Sequence, residues 1–193
     1  MVKLPEFTEP LSDEELAAVE VGPPRRFGGQ VRILPYDPEW PGLYECEAER
    51  LRAVLGHRVL LLEHVGSTSV PGLPAKPIID IDLRVADSAD EDAYVPELVA
   101  AGYTMTIREP AWYEHRLFKG PDTDLNLHVF GGQTDEIERH LLLRDWMRAH
   151  PEDRDLYRDA KLELSGRTFR SIHEYAHAKT AVVVEILRRA GAR

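Results

Sequence analysis

The sequence predicts an α+β fold in which a short mixed β-sheet is backed by helices and the C-terminal part is helical. Two continuous apolar runs of strand length, at 59–65 and 77–85, are candidates for central strands. From Thr134 onward only helical patterns occur, and strands followed by helices are typical of α+β proteins. We expect an N-terminal arm with a short helix over residues 1–29 and one domain over residues 30–193.

The first part of the chain predicts a short helix, then a strand and a longer helix. Ser12 and Glu15 have the spacing of a helix-capping box. Residues 31–36 predict a strand, after which Asp37-Pro38 predicts the start of a helix that runs to residue 56. The later predicted elements are a helix at 91–101, strands at 103–107, 115–119 and 124–130, and helices at 135–150, 151–164 and 172–190.

Composition argues against several classes of protein. The formal net charge of −10 is unsuited to broad binding of duplex nucleic acid, which depends on Lys and Arg. No apolar run reaches the roughly 18 residues of a membrane span, and the start of the chain is acidic where a signal peptide is basic, so we expect a cytoplasmic protein. The single cysteine, Cys46, excludes an internal disulfide and is expected to be a small buried apolar group.

Two aspartates on one predicted strand form the first candidate site. The side-chain period of two places Asp80, Asp82 and Arg84 on one face and apolar residues on the other. Two carboxylates about 7 Å apart on a buried strand repel each other, so a cation usually lies between them. Oxygen ligands suit magnesium or manganese. The alternative is a pair of aspartates in water at a strand end.

The loop before this strand predicts an anion-binding turn. Gly66 and Gly72 relax the backbone around the hydroxyl side chains of Ser67, Thr68 and Ser69. Such a turn can present N–H groups and hydroxyls to phosphate oxygens, and the nearby Lys76 would add a positive charge. The alternative is a proline-rich crossover whose hydroxyls bond only to their own backbone.

The spacing of these residues resembles a known signature. Gly66-Ser67, twelve intervening residues and then Asp80-Ile81-Asp82-Leu83 are similar to the polymerase-beta-type nucleotidyltransferase superfamily. The stretch from His64 to Asp82 resembles more closely the GrpB family, an uncharacterised branch of that superfamily that is also found fused to dephospho-CoA kinase. The resemblance extends from residues 36–40 through 125–129 and 144–146 to the final helix.

The resemblance implies a nucleotidyltransferase-like fold and metal-dependent transfer of a nucleoside monophosphate. In the superfamily, carboxylates hold two metals, and a third carboxylate on a neighbouring strand activates the acceptor. Here that strand carries Asp124 at its entrance, followed by Asn126 and His128 on the same face. We therefore expect His128 to take the third place, either as a metal ligand or as a general base. His64 is expected to be a packing or supporting residue.

Several positive groups are candidates for holding phosphate. Alternation lets only one of His115 and Arg116 face the site, and the fixed charge of Arg116 favours the arginine. Tyr175 and Lys179 share a helix face at i and i+4, as do Tyr157 and Lys161 in the preceding helix. The resemblance ranks Tyr175 and Lys179 first, because related enzymes hold a triphosphate with helical Lys and Tyr residues. Snorkelling of these side chains to water is the alternative.

Three functions remain open from the sequence. The first is a nucleotidyltransferase that uses magnesium or manganese, a nucleoside triphosphate and an unknown small acceptor. The second is a non-catalytic module that binds a nucleotide or a coenzyme A precursor, and the third is a metal-dependent phosphohydrolase. None of the three needs duplex nucleic acid or a membrane as a partner.

Overall fold

The computed structural model describes residues 2–5, 11–23, 29–132 and 134–193, and these residues form a five-stranded mixed sheet packed between helices. The predicted α+β class is confirmed. A two-stranded antiparallel ribbon lies beside the main sheet. The strands are β1 (Gly29–Gln30), β2 (Leu61–Val65), β3 (Ile79–Val85), β4 (Thr104–Glu109), β5 (His115–Lys119), β6 (Leu125–Gly131) and β7 (Thr168–Phe169).

Seven α-helices occur in the described residues, and four of them, α4 to α7, come after β6, the last strand of the main sheet. The helices are α1 (Asp13–Val19), α2 (Trp40–Leu55), α3 (Val95–Ala100), α4 (Asp135–Ala149), α5 (Pro151–Ser165), α6 (Ile172–Ala178) and α7 (Thr180–Arg189). No helix in this part of the chain combines the length and apolar character needed to cross a membrane.

The order of the main sheet is β2-β3-β6-β5-β4, with β3 and β6 parallel and the other pairs antiparallel. One face is apolar: Ile79, Ile81 and Leu83 of β3 are fully buried against α2 and α3. Because side chains alternate along a strand, Asp80 and Asp82 lie on the other face. The parallel register then pairs Asp80 with Asn126 and Asp82 with His128.

The loop between β2 and β3 packs on the C-terminal helices. Val70 and Leu73 from this loop are fully buried and share a cluster with Tyr157 of α5 and Ile186 of α7. The arginines of α4 add polar contacts, since Arg148 donates two hydrogen bonds to the carbonyl of Ser69. The helical C-terminal part therefore holds the turn that the sequence marked as an anion site.

Several predicted boundaries are wrong. Residues 31–36 are not a strand, since only Leu34 forms a single bridge, to Ala75, and the strand at this point is β1, which pairs with β7. Helix α2 begins at Trp40, because the Asp37 carboxylate accepts the amide of Glu39 and holds the preceding turn. The final helix is interrupted at Lys179, whose amide bonds to the carbonyl three residues back, at Ala176.

Cys46 is also placed differently from the prediction. Helix α2 buries Trp40, Ala48 and Leu51 against the sheet, and Cys46 lies on a part of the helix that faces away from it. Its side chain is exposed, so the expectation of a small buried apolar group is wrong.

The N-terminal segment lies on the rest of the chain through backbone bonds. The predicted capping box of α1 is present, with Ser12 and Glu15 bonded reciprocally. Val21 donates to Thr106 of β4, and Leu4 donates to the carbonyl of Arg193. The prediction of an arm over residues 1–29 also covers residues 6–10 and 24–28, which lie outside the described residues. The division into arm and domain stays a prediction.

Gly66, between β2 and the following turn, has a backbone conformation that only glycine adopts easily, with φ 68° and ψ −171°. A Cβ placed there would overlap with Oδ2 of Asp80 and lie 3.0 Å from its Cβ and Cγ. The turn is thus fixed against the aspartate by close approach of the backbone.

We predict that Gly66→Ala destabilises the protein more than Gly56→Ala does. Gly56 also has a positive φ, 58°, but an added Cβ there meets nothing within 4 Å. Gly56→Ala should therefore cost only the backbone strain, about 1 to 3 kcal/mol, while Gly66→Ala adds the overlap with Asp80. Urea unfolding of both variants measures the difference. Equal losses would show that the backbone does not approach Asp80 as described.

Candidate functional site

The centre of the candidate site is the carboxylate of Asp80, which is partly open to solvent with 29% of its side chain exposed. Oδ1 accepts a hydrogen bond of 2.7 Å from the amide of Asn126, and Oδ2 lies beside Gly66. Burial alone would raise the pKa of Asp80, but His128, Asn126 and Lys76 outweigh it and lower the pKa to about 2. Asp80 is therefore ionised at neutral pH.

Asp82 is in a different environment from Asp80, because it is fully buried and His140 of helix α4 lies against it. Its Oδ2 lies 2.8 Å from Nδ1 of His140, and Nε2 of the same ring lies 3.3 Å from Glu136. Burial opposes charge on His140, but Asp82 and Glu136 outweigh it and raise the pKa of His140 well above its usual value. The imidazolium of His140 thus supplies a positive charge next to Asp82.

Glu136 completes this group on α4. Burial would raise the pKa of Glu136, yet His140 and Arg139 lower it to about 2. One histidine therefore lies between the carboxylates of Asp82 and Glu136. The sequence carried a signal for this arrangement, because Glu136 and His140 have i, i+4 spacing on a predicted helix, but it did not show that α4 would cover the aspartate strand.

A metal could be held by only part of the predicted ligand set. Oδ1 of Asp82 is buried without a hydrogen-bond partner, which leaves one oxygen available. Asp80 Oδ1 lies 3.9 Å from Nε2 of His128. Within residues 2–5, 11–23, 29–132 and 134–193, no three His, Cys, Asp or Glu side chains are grouped as a ready-made metal site. Asp80 and Oδ1 of Asp82 are therefore the groups that could hold a metal, which would need further ligands to complete its coordination.

Residues Ser67–Ser69 form a single turn of 3-10 helix directly beside Asp80. The amides of Ser69 and Val70 make the turn's own bonds, which leaves the amides of Ser67 and Thr68 outside it. The hydroxyls of Thr68 and Ser69 are buried and donate to the carbonyls of Ile78 and Gly66. These two residues therefore support the backbone of the turn, and only Ser67 directs its hydroxyl toward the neighbouring helix.

His64 stabilises this turn from the apolar side. Its ring stacks on Tyr44 at 4.8 Å, and Nε2 lies 3.0 Å from the hydroxyl of Thr68. Burial lowers the pKa of His64 to about 4, so the ring is neutral at physiological pH. These contacts are those of a packing and supporting residue, as the sequence led us to expect.

Lys161 of α5 reaches the turn directly. Its Nζ donates to the hydroxyl of Ser67 at 3.0 Å and to the carbonyl of Pro74 at 2.5 Å, and it lies 4.7 Å from the ring centroid of Tyr157. Only 2% of Lys161 is exposed. Burial, with a smaller effect from Lys179, lowers the pKa of Lys161 to about 6. The sequence identified the Tyr157–Lys161 spacing but ranked it second.

Lys179 and Lys76 lie around the ring of Tyr175, at 4.7 and 5.5 Å from its centroid. Burial lowers the pKa of Lys76 to about 8, with Lys179 adding to the effect. For Lys179, burial is outweighed by Tyr157, Tyr175 and Asp80, and the pKa is raised. Tyr175 itself is 1% exposed. The predicted pair of Tyr175 and Lys179 thus joins Lys76 and Lys161 in one cluster of three lysines.

His128 shares the site with His115 rather than with Arg116. Nδ1 of His128 lies 3.0 Å from Nε2 of His115, and the two rings stack. Arg116 points to the other face of the sheet, where Glu91 and Glu114 pair with its guanidinium. The expectation that Arg116 faces the site is therefore wrong. In β5, His115 and not Arg116 lies on the same face of the sheet as His128.

A small cavity lies beside the turn. It has a volume of about 50 Å³ and lies between Gly66 and Ser67 on one side and His140 and Tyr157 on the other. A space of this size holds one or two water molecules. Gly66 itself is exposed, so the turn is open to solvent on that side.

Comparison with known proteins gives consistent matches over most of the chain. A family model described as GrpB protein matches residues 30–189. The UPF0157 protein BH1888 of Halalkalibacterium halodurans is 56% identical over 183 residues, which cover 95% of this chain and 94% of that protein. The crystal structure of the conserved protein GrpB from Enterococcus faecalis has a TM-score of 0.71 at 32% identity and covers 82% of this chain and 96% of its own.

A more distant likeness extends to Cid1, whose structure is described for its RNA terminal uridylyl transferase activity. It has a TM-score of 0.47 at 18% identity and covers 65% of this chain and 41% of Cid1. This partial overlap carries no argument about function. The family model and the similar proteins, by contrast, span nearly the whole described chain. The resemblance found in the sequence is confirmed, and the chain belongs to the GrpB family.

Proposed function

We propose that this chain is a metal-dependent nucleotidyltransferase, which moves a nucleoside monophosphate from a nucleoside triphosphate to a small acceptor. The observation that carries the proposal is the contact between a turn with available amides and an ionised carboxylate. Gly66 lies against Asp80, and Ser67 beside it is bonded to Lys161. Phosphate oxygens need N–H donors and positive charge, whereas a metal that bridges them needs a carboxylate.

The three lysines are suited to a highly charged anion. Lys76, Lys161 and Lys179 lie around Tyr157 and Tyr175, and none of the three has a carboxylate as a direct partner in an ion pair among the described residues. The lowered pKa values of Lys76 and Lys161 reflect burial first and then repulsion by Lys179. A bound triphosphate would supply the missing negative charge and favour protonation of all three.

The aspartates would hold the metal together with the substrate. Asp80 is ionised and partly open, and Asp82 offers a buried oxygen without a partner. Magnesium and manganese commonly bind through one or two carboxylates and complete their coordination with phosphate oxygens and water. When bound, such an ion would neutralise charge on the triphosphate and on the departing pyrophosphate.

The proposed reaction is an in-line displacement. An acceptor oxygen or nitrogen forms a bond to the α-phosphorus, the bond from this phosphorus to the bridging oxygen breaks, and pyrophosphate leaves. The proton of the acceptor must pass to a base. His128 would receive it, and its Nε2 lies 3.9 Å from Oδ1 of Asp80, beside the proposed metal.

One observation favours a second candidate, a non-catalytic module that binds the same ligand. Asp82 already has the imidazolium of His140 as a counter-ion, and the strand next to it offers Asn126 and His128 in place of a third carboxylate. A site of this kind could hold a nucleotide or a coenzyme A precursor without turnover. The two candidates differ in whether pyrophosphate is released.

We predict that incubation with nucleoside triphosphates, manganese or magnesium and a mixture of small acceptors releases pyrophosphate and labels an acceptor. Asp80→Asn removes the charge that a metal needs and should reduce the rate by at least about 100-fold, the loss of some 2.7 kcal/mol of transition-state stabilisation. Asp92→Asn, at an exposed carboxylate away from the site, is the matched control and should keep the wild-type rate.

The products separate the three functions. Pyrophosphate with a modified acceptor supports the transferase. Orthophosphate or a nucleoside monophosphate formed without an acceptor would indicate a phosphohydrolase. Saturable triphosphate binding without any product would indicate the binding module.

We predict that Lys161→Met changes both the pH dependence of stability and the affinity for a triphosphate. The lowered pKa of Lys161 means that the unfolded chain binds more protons than the folded one between about pH 6 and pH 10.5, so this residue makes stability rise with pH in that window. The variant should lose that rise and bind a non-hydrolysable triphosphate about tenfold more weakly, because one charge-assisted bond is lost. Urea unfolding at several pH values and calorimetric titration measure the two effects.

Lys3→Met is the control, since Lys3 is 78% exposed. It should keep both the pH dependence and the affinity. Unchanged triphosphate affinity in Lys161→Met would remove this lysine, and the turn it bonds, from the proposed phosphate site.

A further inference from the structure

We propose that Glu109 and His115 are positioning residues that fix the ring of His128 with its proton on Nδ1 and its lone pair on Nε2. The proposal rests on the proposed function, in which His128 receives the acceptor's proton. It adds two residues that neither the sequence nor the family match assigns to the site. The three side chains come from two neighbouring strands, β5 and β6, and from the end of β4.

Hydrogen-bond distances connect the three side chains in a line. The carboxylate of Glu109 lies 2.7 Å from Nδ1 of His115. Nε2 of His115 lies 3.0 Å from Nδ1 of His128. Nε2 of His128 then faces Oδ1 of Asp80 at 3.9 Å. The line runs from the rim of the sheet to the aspartate at the centre of the site.

The direction of the bonds follows from what each group can do. A carboxylate can only accept, so Nδ1 of His115 carries a proton and donates it to Glu109. In a neutral ring the other nitrogen, Nε2, then accepts, and its partner, Nδ1 of His128, must be the donor. Nε2 of a neutral His128 is left with a free lone pair. A carboxylate thus sets the tautomer of a second histidine through the first one, as it does for metal-binding histidines.

The middle ring of the line is held rigidly. His115 is 3% exposed and stacks on Phe130 at 4.9 Å, while Trp112 packs edge-on against it at 5.2 Å. The residues just before it, Tyr113 and Glu114, have positive φ values of 54° and 50°. Two adjacent residues in this strained region are retained only where the surrounding structure holds them, and such strain is concentrated at functional sites.

The distance from Nε2 of His128 to Oδ1 of Asp80 is 3.9 Å, which is longer than a direct hydrogen bond. A group that donates a proton can therefore lie between these two atoms. The hydroxyl or amine of an acceptor supplies such a donor. The arrangement suits an acceptor group that carries a proton and passes it to Nε2 of His128 as the new bond to phosphorus forms.

A different protonation of His115 would reverse the direction of the hydrogen bond between His115 and His128. If His115 carried protons on both nitrogens, Nδ1 of His128 would accept and Nε2 would donate toward Asp80. His128 would then have no lone pair for a substrate. The two arrangements place the proton of His128 on different nitrogens, and nitrogen NMR distinguishes them without any assay of activity.

The test is to record imidazole ¹⁵N–¹H spectra of the full chain at neutral pH for the wild type and two variants. In the wild type, we expect His128 to show a protonated Nδ1 and an unprotonated Nε2. His115→Phe keeps the stacking with Phe130 but removes the bond to His128, so His128 should lose the Nδ1–H form and shift to Nε2–H. Glu114→Gln lies next to His115 but outside the line, and it should leave the spectrum of His128 unchanged.

The proposal is overturned if wild-type His128 carries its proton on Nε2, or if its tautomer is the same in His115→Phe. Should His115→Phe fail to fold, Glu109→Gln provides the same comparison, with the tautomer preference of His128 expected to weaken. Titration with manganese and a non-hydrolysable triphosphate is a separate measurement. If His128 carries its proton on Nδ1 but no triphosphate binds, the positioning role stands and the proposed function is contradicted. If the triphosphate binds but His128 carries its proton on Nε2, the positioning role is contradicted and the proposed function stands.

Discussion

The site depends on the close approach of a glycine turn to one carboxylate. Gly66 has no side chain where a Cβ would overlap with Asp80, and the turn that follows is bonded to Lys161. This contact brings backbone amides, a hydroxyl, a lysine and an ionised acid close together. The apolar face of the sheet and the C-terminal helices serve to hold these two segments together.

The two aspartates of β3 have separate roles because their surroundings differ. Asp80 is partly open and surrounded by Asn126, His128 and the lysine cluster. Asp82 is buried under α4, where the imidazolium of His140 neutralises it as a metal would. Two acids that are two residues apart on a strand need not share one cation, since a protonated histidine can neutralise one of them. The chemistry we propose is therefore centred on Asp80.

The sequence predicted the strand that carries the aspartates, the turn before it and the strand of His128, because each rests on local periodicity or on the order of residues in the chain. It did not predict the facing of Arg116 or the ion pair of His140, which depend on register and on which helix covers the sheet. The role of Glu109 needed the same information, since a bond between strands cannot be read from spacing alone. Long-range packing decided these positions.

The most direct measurement is a crystal structure with manganese and a non-hydrolysable nucleoside triphosphate. Our account predicts phosphate oxygens at the amides of Ser67 and Thr68 and at Lys161, with the metal bound to Asp80 and to the triphosphate. The contradicting result is a triphosphate bound elsewhere, with no metal on Asp80 and no phosphate at the turn. It would show that the turn and this carboxylate do not form one phosphate-binding site.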